Sequence, residues 1–510
     1  MRQIRRRVRK LRRRVRRVHL GPPRAQEVRW LFLRGFGLTG LVAFRSLRRQ
    51  VLGLFGSKGI VPVEERLTFL RENLDRRRYL RFPSVLWFGA SDRALMRWCR
   101  VGEGASALLL AGIAPRLSSF VVTSSYVSFL SVGHPFLSYQ WDALLVETGV
   151  LATLAAPGGL RPGRGRHPPS WTTVLMFRWL GCRLHFESGV AKLQSKDEAW
   201  RKLTAVEYHH ETQPLPTPLS WYARQLPKSV NKAATLWVLV VENLMPPLLL
   251  LPSHARRFAF WNLTALQAAI SATGNFGFFN LLSQVILLWG LDDRALARML
   301  PGKRRGLARS ALTRAELLRQ LFELPLLIPL AASSIDELVS RFRFYESPRP
   351  LRPFIEIPRS LHAVSPYGLF AVMTTTRPEI NVEGSVDGET WVEYGFKYKV
   401  GDRSLLPRYT GFHMPRVDWQ MWFAALGAVP AWLPVFLSRI LEGSPEVISL
   451  LGTNPFPGAP PKYIRATLYL YSMTDRTKHR ETGHFWERQS LGQLVLLRRR
   501  ENAEAANLLS

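Results

Sequence analysis

The chain is 510 residues long, which allows more than one folding unit, and its mean hydropathy near zero averages strongly apolar and strongly basic stretches. Its formal net charge is +34, and its two cysteines, Cys99 and Cys182, exclude a disulfide framework. No phosphate-binding glycine loop, nucleophile elbow, zinc signature or dinucleotide fingerprint occurs in a suitable position, so the sequence predicts neither a cofactor nor a metal site. We predict that both cysteines pack as small apolar residues.

The amino-terminal segment is strongly basic. Its first eighteen residues contain eleven basic side chains and no acid. Because each basic group near an anionic membrane surface gains about 1 kcal/mol, residues 1–27 are predicted to form a cytoplasmic tail that contacts membrane lipids. Nucleic-acid binding is the rival interpretation of a basic arm, but no recognition module follows it, so no nucleic-acid partner is predicted.

Apolar windows follow between residues 28 and 333. A hydrocarbon core about 30 Å thick needs roughly 20 helical residues, and Trp and Tyr at the window edges are typical of the membrane interface. We therefore predict an α-helical multi-pass membrane bundle over residues 28–333, with roughly six to eight helices and an uncleaved first span. The alternative is a soluble protein whose windows are core helices. The windows are 30–44, 104–114, 117–132, 141–156, 171–190, 233–252, 258–291 and 317–332.

Several ionisable side chains fall inside these windows or directly between two of them. A charged side chain that faces lipid raises the free energy of the folded protein, so we predict that these side chains face protein or water. They are Arg116, Glu147, Arg178, Arg183, Glu187 and Glu242.

The central stretch 185–222 leaves an apolar run and becomes aromatic, charged and rich in proline. Within it, His185, Gly189 and Lys192 share one helical face. A desolvated lysine could act as a base, but we favour a lysine that snorkels to the membrane surface and anchors the helix end.

The second half of this stretch contains adjacent histidines. His209 and His210 point in different directions on a helix, so a polar network of Tyr208, His209 and Glu211 is favoured over a metal site. The prolines that follow, at 214, 216 and 218, predict an extended conformation.

After about residue 334, short alternating patterns replace the long apolar runs. We predict a linker at 334–347, a small, mainly antiparallel, sandwich-like β domain outside the membrane at 348–497, and a solvated tail at 498–510. Strands are predicted at 369–374, 463–472 and 484–496, and a hairpin at 379–400 turns at Asp387-Gly388. Two short helices are predicted within 415–443.

Two groups of motifs carry a resemblance to a known family. The string SGVAKLQSKDEAWRKLTAVEYHHETQPLPTPLSWY resembles the hallmark segment of the lipase maturation factor family. The strings EINVEGSVDGETWVEYGFKYK, PRVDWQMWFAAL and NPFPGAPPKYIRATLYLY resemble the carboxy-terminal domain of that family, in the same order. The first match rests on Gly189, Lys192, Trp200, Tyr208, His209, Glu211, Thr212, Gln213, Pro214, Pro216, Pro218, Trp221 and Tyr222. The second rests on Glu379, Gly384, Ser385, Asp387, Gly388, Trp391, Pro415, Arg416, Asp418, Trp419, Trp422, Asn454, Pro455, Phe456, Pro457 and Arg465.

The resemblance implies a non-enzymatic maturation factor, a chaperone of the secretory pathway whose partners are secreted client proteins such as lipases. It also implies an integral protein of the endoplasmic reticulum membrane with a lumenal β domain. The arginine-rich tail, the compact length and the scarcity of cysteine depart from the animal members. They leave open a bacterial relative in the inner membrane, with its β domain on the non-cytoplasmic side.

The central motif also resembles the bundle of vitamin K-dependent carboxylase, in which a Gly-x-x-Lys-Leu motif carries the catalytic lysine. Here Gly189, Lys192 and Leu193 match that motif. This resemblance implies an alternative function, a membrane enzyme with Lys192 as base and His185 or His209 assisting. A transporter is disfavoured because the chain shows no internal repeat or paired broken helices.

Overall fold

The structure is a computed structural model that describes residues 25–165, 167–299, 314–342, 347 and 349–499. The basic tail predicted over residues 1–27 lies outside this range except for its last three residues. Most of the carboxy-terminal tail, residues 500–510, also lies outside it.

The amino-terminal two thirds of the described chain is helical. Helix α8 is central, because it packs against α7, α12, α14 and α16, whereas α1 lies along α5. The helices are α1 (Gln26–Arg48), α2 (Val51–Phe55), α3 (Val63–Asn73), α4 (Arg78–Arg81), α5 (Asp92–Ala111), α6 (Pro115–Val132), α7 (Gln140–Ala155), α8 (Trp171–Gln194), α9 (Glu198–Arg201), α10 (Ala205–Thr212), α11 (Pro218–Arg224), α12 (Lys228–Leu248), α13 (Ser253–Thr273), α14 (Phe279–Leu287), α15 (Asp293–Met299), α16 (Arg314–Ser340) and α17 (Arg352–Ser360).

Local chemistry explains where the first helix begins. The carboxylate of Asp293 accepts hydrogen bonds from the backbone N–H groups of Gln26, Glu27 and Val28 at 2.9–3.1 Å. These groups have no partner within the helix, and a negative charge is favoured at a helix amino terminus. Asp293 therefore joins the start of α1 to α15, although 265 positions separate it from Val28.

The apolar windows correspond to helices with two differences. The window predicted at 258–291 is divided into α13 and α14, because the chain breaks at Gly274 and forms an isolated bridge to Pro216. Residues 334–340, assigned to the linker, form the last turns of α16. Among the helices that the structure describes, none combines the length and the apolar character required to cross a bilayer.

The carboxy-terminal unit is built around one antiparallel sheet with the strand order β2-β1-β3-β4. Helix α18 packs on β1, and α19 packs on β3 and β4. The helices that cover this sheet confirm the two predicted between residues 415 and 443. The elements are β1 (Arg377–Ser385), β2 (Val392–Tyr394), α18 (Arg416–Ala425), α19 (Trp432–Leu441), α20 (Pro445–Ile448), β3 (Tyr463–Met473), α21 (Arg476–Thr482) and β4 (Trp486–Arg498).

The predicted turn at Asp387-Gly388 is confirmed. Gly388 has φ 89°, a conformation that glycine adopts readily, and the Asp387 carboxylate accepts hydrogen bonds from the N–H groups of Glu389 and Thr390 at 2.9 and 2.8 Å. These bonds hold the pKa of Asp387 well below its ordinary value.

Two strand predictions and the predicted sandwich-like arrangement need correction. Residues 369–374 form no strand, because they pack against the helical unit instead of pairing with a neighbour. The alternation over 392–398 yields only the three-residue β2, since the chain leaves the sheet at Gly395 and bonds to Thr453. The sandwich-like arrangement is also wrong for the described residues, which contain one sheet covered by helices.

A single apolar core joins the helical unit and the sheet. It includes residues from α1, such as Phe32 and Phe36, and residues from β3, such as Ile464 and Ala466. Both cysteines are free and buried, as predicted. Polar residues that join the two units, such as Arg377 and Arg416, are also buried.

Candidate functional site at the central motif

Lys192 lies near the end of α8 and is 5% exposed. Its Nζ is 2.7 Å from Oε2 of Glu242 on α12. It also donates hydrogen bonds to the carbonyl oxygens of Leu369 at 3.1 Å and Ser188 at 3.3 Å. The favoured prediction of a snorkelling lysine is wrong, because the ammonium group is enclosed between two helices and the segment that precedes β1.

Gly189 lies against the side chain of Asn243 on α12. A Cβ atom at this position would lie 2.7 Å from Nδ2 of Asn243, the residue next to Glu242. Glycine leaves that space to the Asn243 side chain, which a larger residue at position 189 would displace. The Gly-x-x-Lys spacing therefore has a structural role: Gly189 accommodates Asn243, and Lys192 meets Glu242 one turn later.

His185 shares the face of α8 with Lys192, as predicted. Its Nδ1 is 2.9 Å from the carbonyl oxygen of Gly181, and its Nε2 is 3.1 Å from Nε2 of Gln267. Since an amide nitrogen can only donate, Nε2 accepts this hydrogen bond and Nδ1 carries the proton. This neutral imidazole is held in one orientation by both neighbours.

A cavity of about 50 Å³ lies between these groups, lined by His185, Lys192, Glu242, Phe276 and Phe370, among others. A cavity of this size is large enough for a few water molecules at most. Pockets that bind small-molecule substrates are typically about 300–1,000 Å³. The cavity therefore offers no room for a substrate beside Lys192.

His209 does not join the cluster. Its ring packs against Phe276 and Phe370, with centroid distances of 6.2 and 4.8 Å, and these two phenylalanines separate it from the cavity. Burial lowers the pKa of His209 to about 3 and that of His210 to about 4. Of the three candidate catalytic residues, the structure therefore brings together Lys192 and His185 but not His209.

The charged side chains predicted to face protein do so at a second buried cluster. Arg183 contacts Glu147 at 3.0 Å and Glu187 at 2.9 Å, and it donates to the carbonyl oxygen of Ser365 at 2.6 Å. The hydroxyl group of Tyr367 donates to Glu147 at 2.6 Å. This cluster attaches the segment before β1 to α7 and α8. Sequence reasoning identified the charges but missed Tyr367, which no local pattern marks.

The proline segment of the motif is held by one arginine of the sheet. Arg377, at the start of β1, donates hydrogen bonds to the carbonyl oxygens of Glu211, Gln213 and Pro214 at 2.8, 2.5 and 3.0 Å. The positive charge of Arg377 is paired with the Glu379 carboxylate, at 2.7 Å. Prolines lack a backbone N–H group, so this segment has more hydrogen-bond acceptors than donors in its backbone. A guanidinium only donates hydrogen bonds, and here it donates to three of these carbonyl groups.

The rest of the motif serves the same junction. Trp422 donates to the carbonyl oxygen of Thr212 at 2.9 Å, and the Glu211 carboxylate accepts from Arg224 and from the N–H group of Met473, each at 3.0 Å. The predicted polar network thus includes Glu211, whereas His209 packs among aromatic rings. Trp200 donates to the carbonyl oxygen of Phe370 at 3.1 Å, Trp221 packs edge-to-face on Phe485, and Tyr222 packs on Trp221.

Arg416 forms the main ionic contact between α18 and the helical unit. Its Nη1 and Nη2 atoms lie 2.6 and 2.7 Å from the two carboxylate oxygens of Asp142 on α7, and the hydroxyl group of Tyr126 donates to the same carboxylate at 2.5 Å. Bidentate pairs of this kind fix orientation as well as distance. Asp142 and Tyr126 were missed by sequence reasoning, because 274 positions separate Asp142 from Arg416.

Most other residues of the carboxy-terminal motifs stabilise the sheet unit and do not converge on a reaction centre. Asp418 accepts the N–H groups of Tyr398 and Lys399 at 2.8 and 2.9 Å, and Arg465 pairs with Glu383 at 2.6 Å while covering the ring of Trp391. The remaining positions provide further packing and turns: Glu379 contacts Lys399, Gly384 and Tyr394 pack against Phe456, Ser385 contacts Asp387, Trp419 packs on Tyr139 and Trp141, Pro415 precedes α18, and Asn454 accepts the N–H group of Phe456 between Pro455 and Pro457.

Within the described ranges, no group of three or more His, Cys, Asp or Glu side chains is arranged to hold a metal ion.

Comparison with known protein families agrees with this two-part architecture. Residues 27–298 match the family model described as the lipase maturation factor transmembrane domain, and residues 363–496 match the lipase maturation factor C-terminal domain. The chain belongs to the lipase maturation factor family.

Relatives align along most of the chain. It is 33% identical to lipase maturation factor 2 of Gallus gallus, over 92% of this chain and 80% of the relative. It is 32% identical to lipase maturation factor 2 of Homo sapiens, over 90% of this chain and 81% of the relative. It is 29% identical to lipase maturation factor 1 of Homo sapiens, over 91% of this chain and 86% of the relative. No solved structure matches this chain.

The two lipase maturation factor domains meet at the contacts described above. Arg416 and Asp142 come from different matched domains, as do Arg377 and the proline segment of the motif. In this family member, the central motif therefore lies where one matched domain is attached to the other.

Proposed function

We propose that this protein is a non-enzymatic, membrane-embedded maturation factor that assists the folding or assembly of secreted proteins such as lipases. The observation that carries the proposal is the match to both lipase maturation factor domains, with relatives that bear this name along most of the chain. The geometry agrees with it, because the polar residues of the central motif connect structural units and leave no room for a substrate.

In this proposal, residues 28–333 embed the protein in lipid, and residues 348–497 form the unit that meets clients. The membrane is that of the endoplasmic reticulum in a eukaryote or the inner membrane in a bacterium, with the sheet unit on the non-cytoplasmic side. The description of the matched amino-terminal domain as a transmembrane domain supports the embedding in lipid. A topology reporter fused after Ser510 tests it, since a cytoplasmic carboxy terminus would contradict client contact on the export side.

The function is tested in cells that lack their own maturation factor and express a secreted lipase. The full chain should restore secreted lipase activity and should crosslink to the lipase during its maturation. A chain with Arg377→Met, which lacks the contacts to the proline segment, should restore much less, whereas Arg480→Met on the exposed α21 should act as the native chain. Unchanged lipase activity with and without the full chain would contradict the proposal.

A second candidate function is a membrane enzyme that uses Lys192 as base. The observation in its favour is the cluster of Lys192, Glu242 and His185 around a cavity. Lys192→Arg keeps the positive charge beside Glu242 but removes most of the capacity to act as a base. If this variant still restores lipase secretion, the enzyme candidate is excluded and the maturation proposal is retained.

A further inference from the structure

The sheet unit carries a concave surface away from the central motif. It is a groove of about 750 Å³, within the size range of ligand-binding pockets. Its walls are the segment 393–403, the loop 405–409, the pair Gly452 and Thr453, and two residues of β4. None of the functions described above uses this groove.

The groove is electropositive after its ion pairs are taken into account. Lys399 is balanced by Glu379 at 2.9 Å, and Arg488 is balanced by Glu393 at 2.5 Å. Three further lining cations, Lys397, Arg403 and Arg408, make no ion pair with any residue that the structure describes, and they share the groove with a single other acid, Asp402.

The lining is also aromatic. Phe396, Tyr398, Tyr409 and Trp486 lie among the cations, and Tyr409 is 49% exposed. An acyl chain would require a continuous apolar channel, which the interspersed charges interrupt. A ligand that presents acidic and apolar side chains in turn would match this lining, and an extended peptide does so with a period of two residues.

The groove is fixed in place by both structural units. The carbonyl oxygen of Arg408 accepts a hydrogen bond from Asn275 at 2.9 Å, and the hydroxyl group of Tyr409 donates to the carbonyl oxygen of Ala272 at 3.0 Å. The opposite wall continues from β2, an edge strand of the sheet. A groove that is already formed loses less entropy when an extended segment binds.

We infer that this groove binds extended, acidic segments of client polypeptides that carry aromatic or aliphatic side chains between the acids. This inference rests on the proposed function for the identity of the client, but the groove's preference for acidic peptides can be measured without any client.

The binding test uses the full-length purified chain and a fluorescein-labelled peptide in which glutamate alternates with phenylalanine and leucine. The acidic peptide should bind, and a peptide with lysine in place of glutamate should not. The double variant Arg403→Glu/Arg408→Glu should weaken binding at least about tenfold, because it replaces unpaired cations with anions.

The matched control is Arg476→Glu/Arg480→Glu on α21, which changes the net charge equally at exposed positions outside the groove. This control should bind the acidic peptide within about twofold of the native chain. Equal weakening by both double variants, or no binding of the acidic peptide, would overturn the inference. Displacement of the peptide by phosphatidylserine vesicles through the same arginines would also overturn it, in favour of a lipid site.

The lipase secretion assay separates this inference from the proposed function. If the native chain restores secretion and the groove variant does not, the assignment to client segments is supported. If the groove variant loses peptide binding but restores secretion fully, clients do not use the groove and the inference fails, while the proposed function stands. If the native chain itself has no effect on secretion, the proposed function fails and the peptide titration alone decides the groove.

Discussion

Lys192 and Glu242 form an ion pair from which water is largely excluded. Such a pair contributes little net stability, but removal of one partner leaves an unpaired buried charge that costs about 3–5 kcal/mol. We therefore expect Lys192→Met to lower the free energy of unfolding by about that amount. Lys192→Met/Glu242→Leu, which removes both charges, should recover most of the loss. Denaturant titration of the purified chain, followed by tryptophan fluorescence, measures both values.

The matched control for this prediction is Lys202→Met. Lys202 pairs with Glu198 at 2.5 Å, but both side chains are exposed to water. Water and salt screen such a pair, so this variant should change the unfolding free energy little. If Lys192→Met were no more destabilising than Lys202→Met, the Lys192 ammonium would be solvated and the buried pair would be excluded.

Arg377 shows how one element holds another. Its guanidinium on β1 binds the carbonyl oxygens of Glu211 in the last turn of α10 and of Gln213 and Pro214 just after it. We expect Arg377→Lys to raise hydrogen exchange of the amides that precede and follow the prolines at least about tenfold, because an ammonium cannot present five donors in one plane. Arg465→Lys, also on the sheet but paired with Glu383, should leave this exchange unchanged. Equal exchange in both variants would contradict the role of Arg377.

The elements also show where periodicity is informative. The strands near 463–472 and 484–496 were predicted because alternation there matches ladder pairing, as the register of β3 and β4 confirms. Residues 369–374 have similar local composition, but Leu369 and Phe370 use their carbonyl groups on Lys192 and Trp200 of the helical unit. Alternating apolar residues indicate that one side of a segment is buried. The element that buries this side can be a helix instead of a neighbouring strand.

At the scale of the whole molecule, the site could be predicted only in part. Resemblance identified Arg416 and the proline segment, and the charges inside apolar windows indicated buried partners. Asp142, Tyr126, Tyr367 and Arg377 became visible only in the structure, because their partners are far away in sequence and their own surroundings carry no pattern. The groove beside β2 was missed for the same reason, since its walls come from segments that are adjacent only after folding.

Burial of histidines in the folded chain predicts how its stability depends on pH. Burial lowers the pKa of His209 to about 3 and that of His210 and His413 to about 4, whereas a histidine in an unfolded chain titrates near 6.5. Between those values the unfolded chain binds more protons than the folded one, so stability falls as pH falls. The contribution of these neutral histidines to the free energy of unfolding is fully present above about pH 6.5 and is lost progressively toward pH 4.

We expect the melting temperature of the purified chain to be several degrees lower at pH 5 than at pH 7.5. His209→Phe, which keeps an aromatic ring beside Phe276 and Phe370 but cannot be protonated, should reduce this difference. His254→Gln, a change at an exposed histidine, should leave it as in the native chain. A pH difference in His209→Phe as large as that of the native chain would contradict the burial of the His209 imidazole, because the variant removes the group that is protonated only in the unfolded chain.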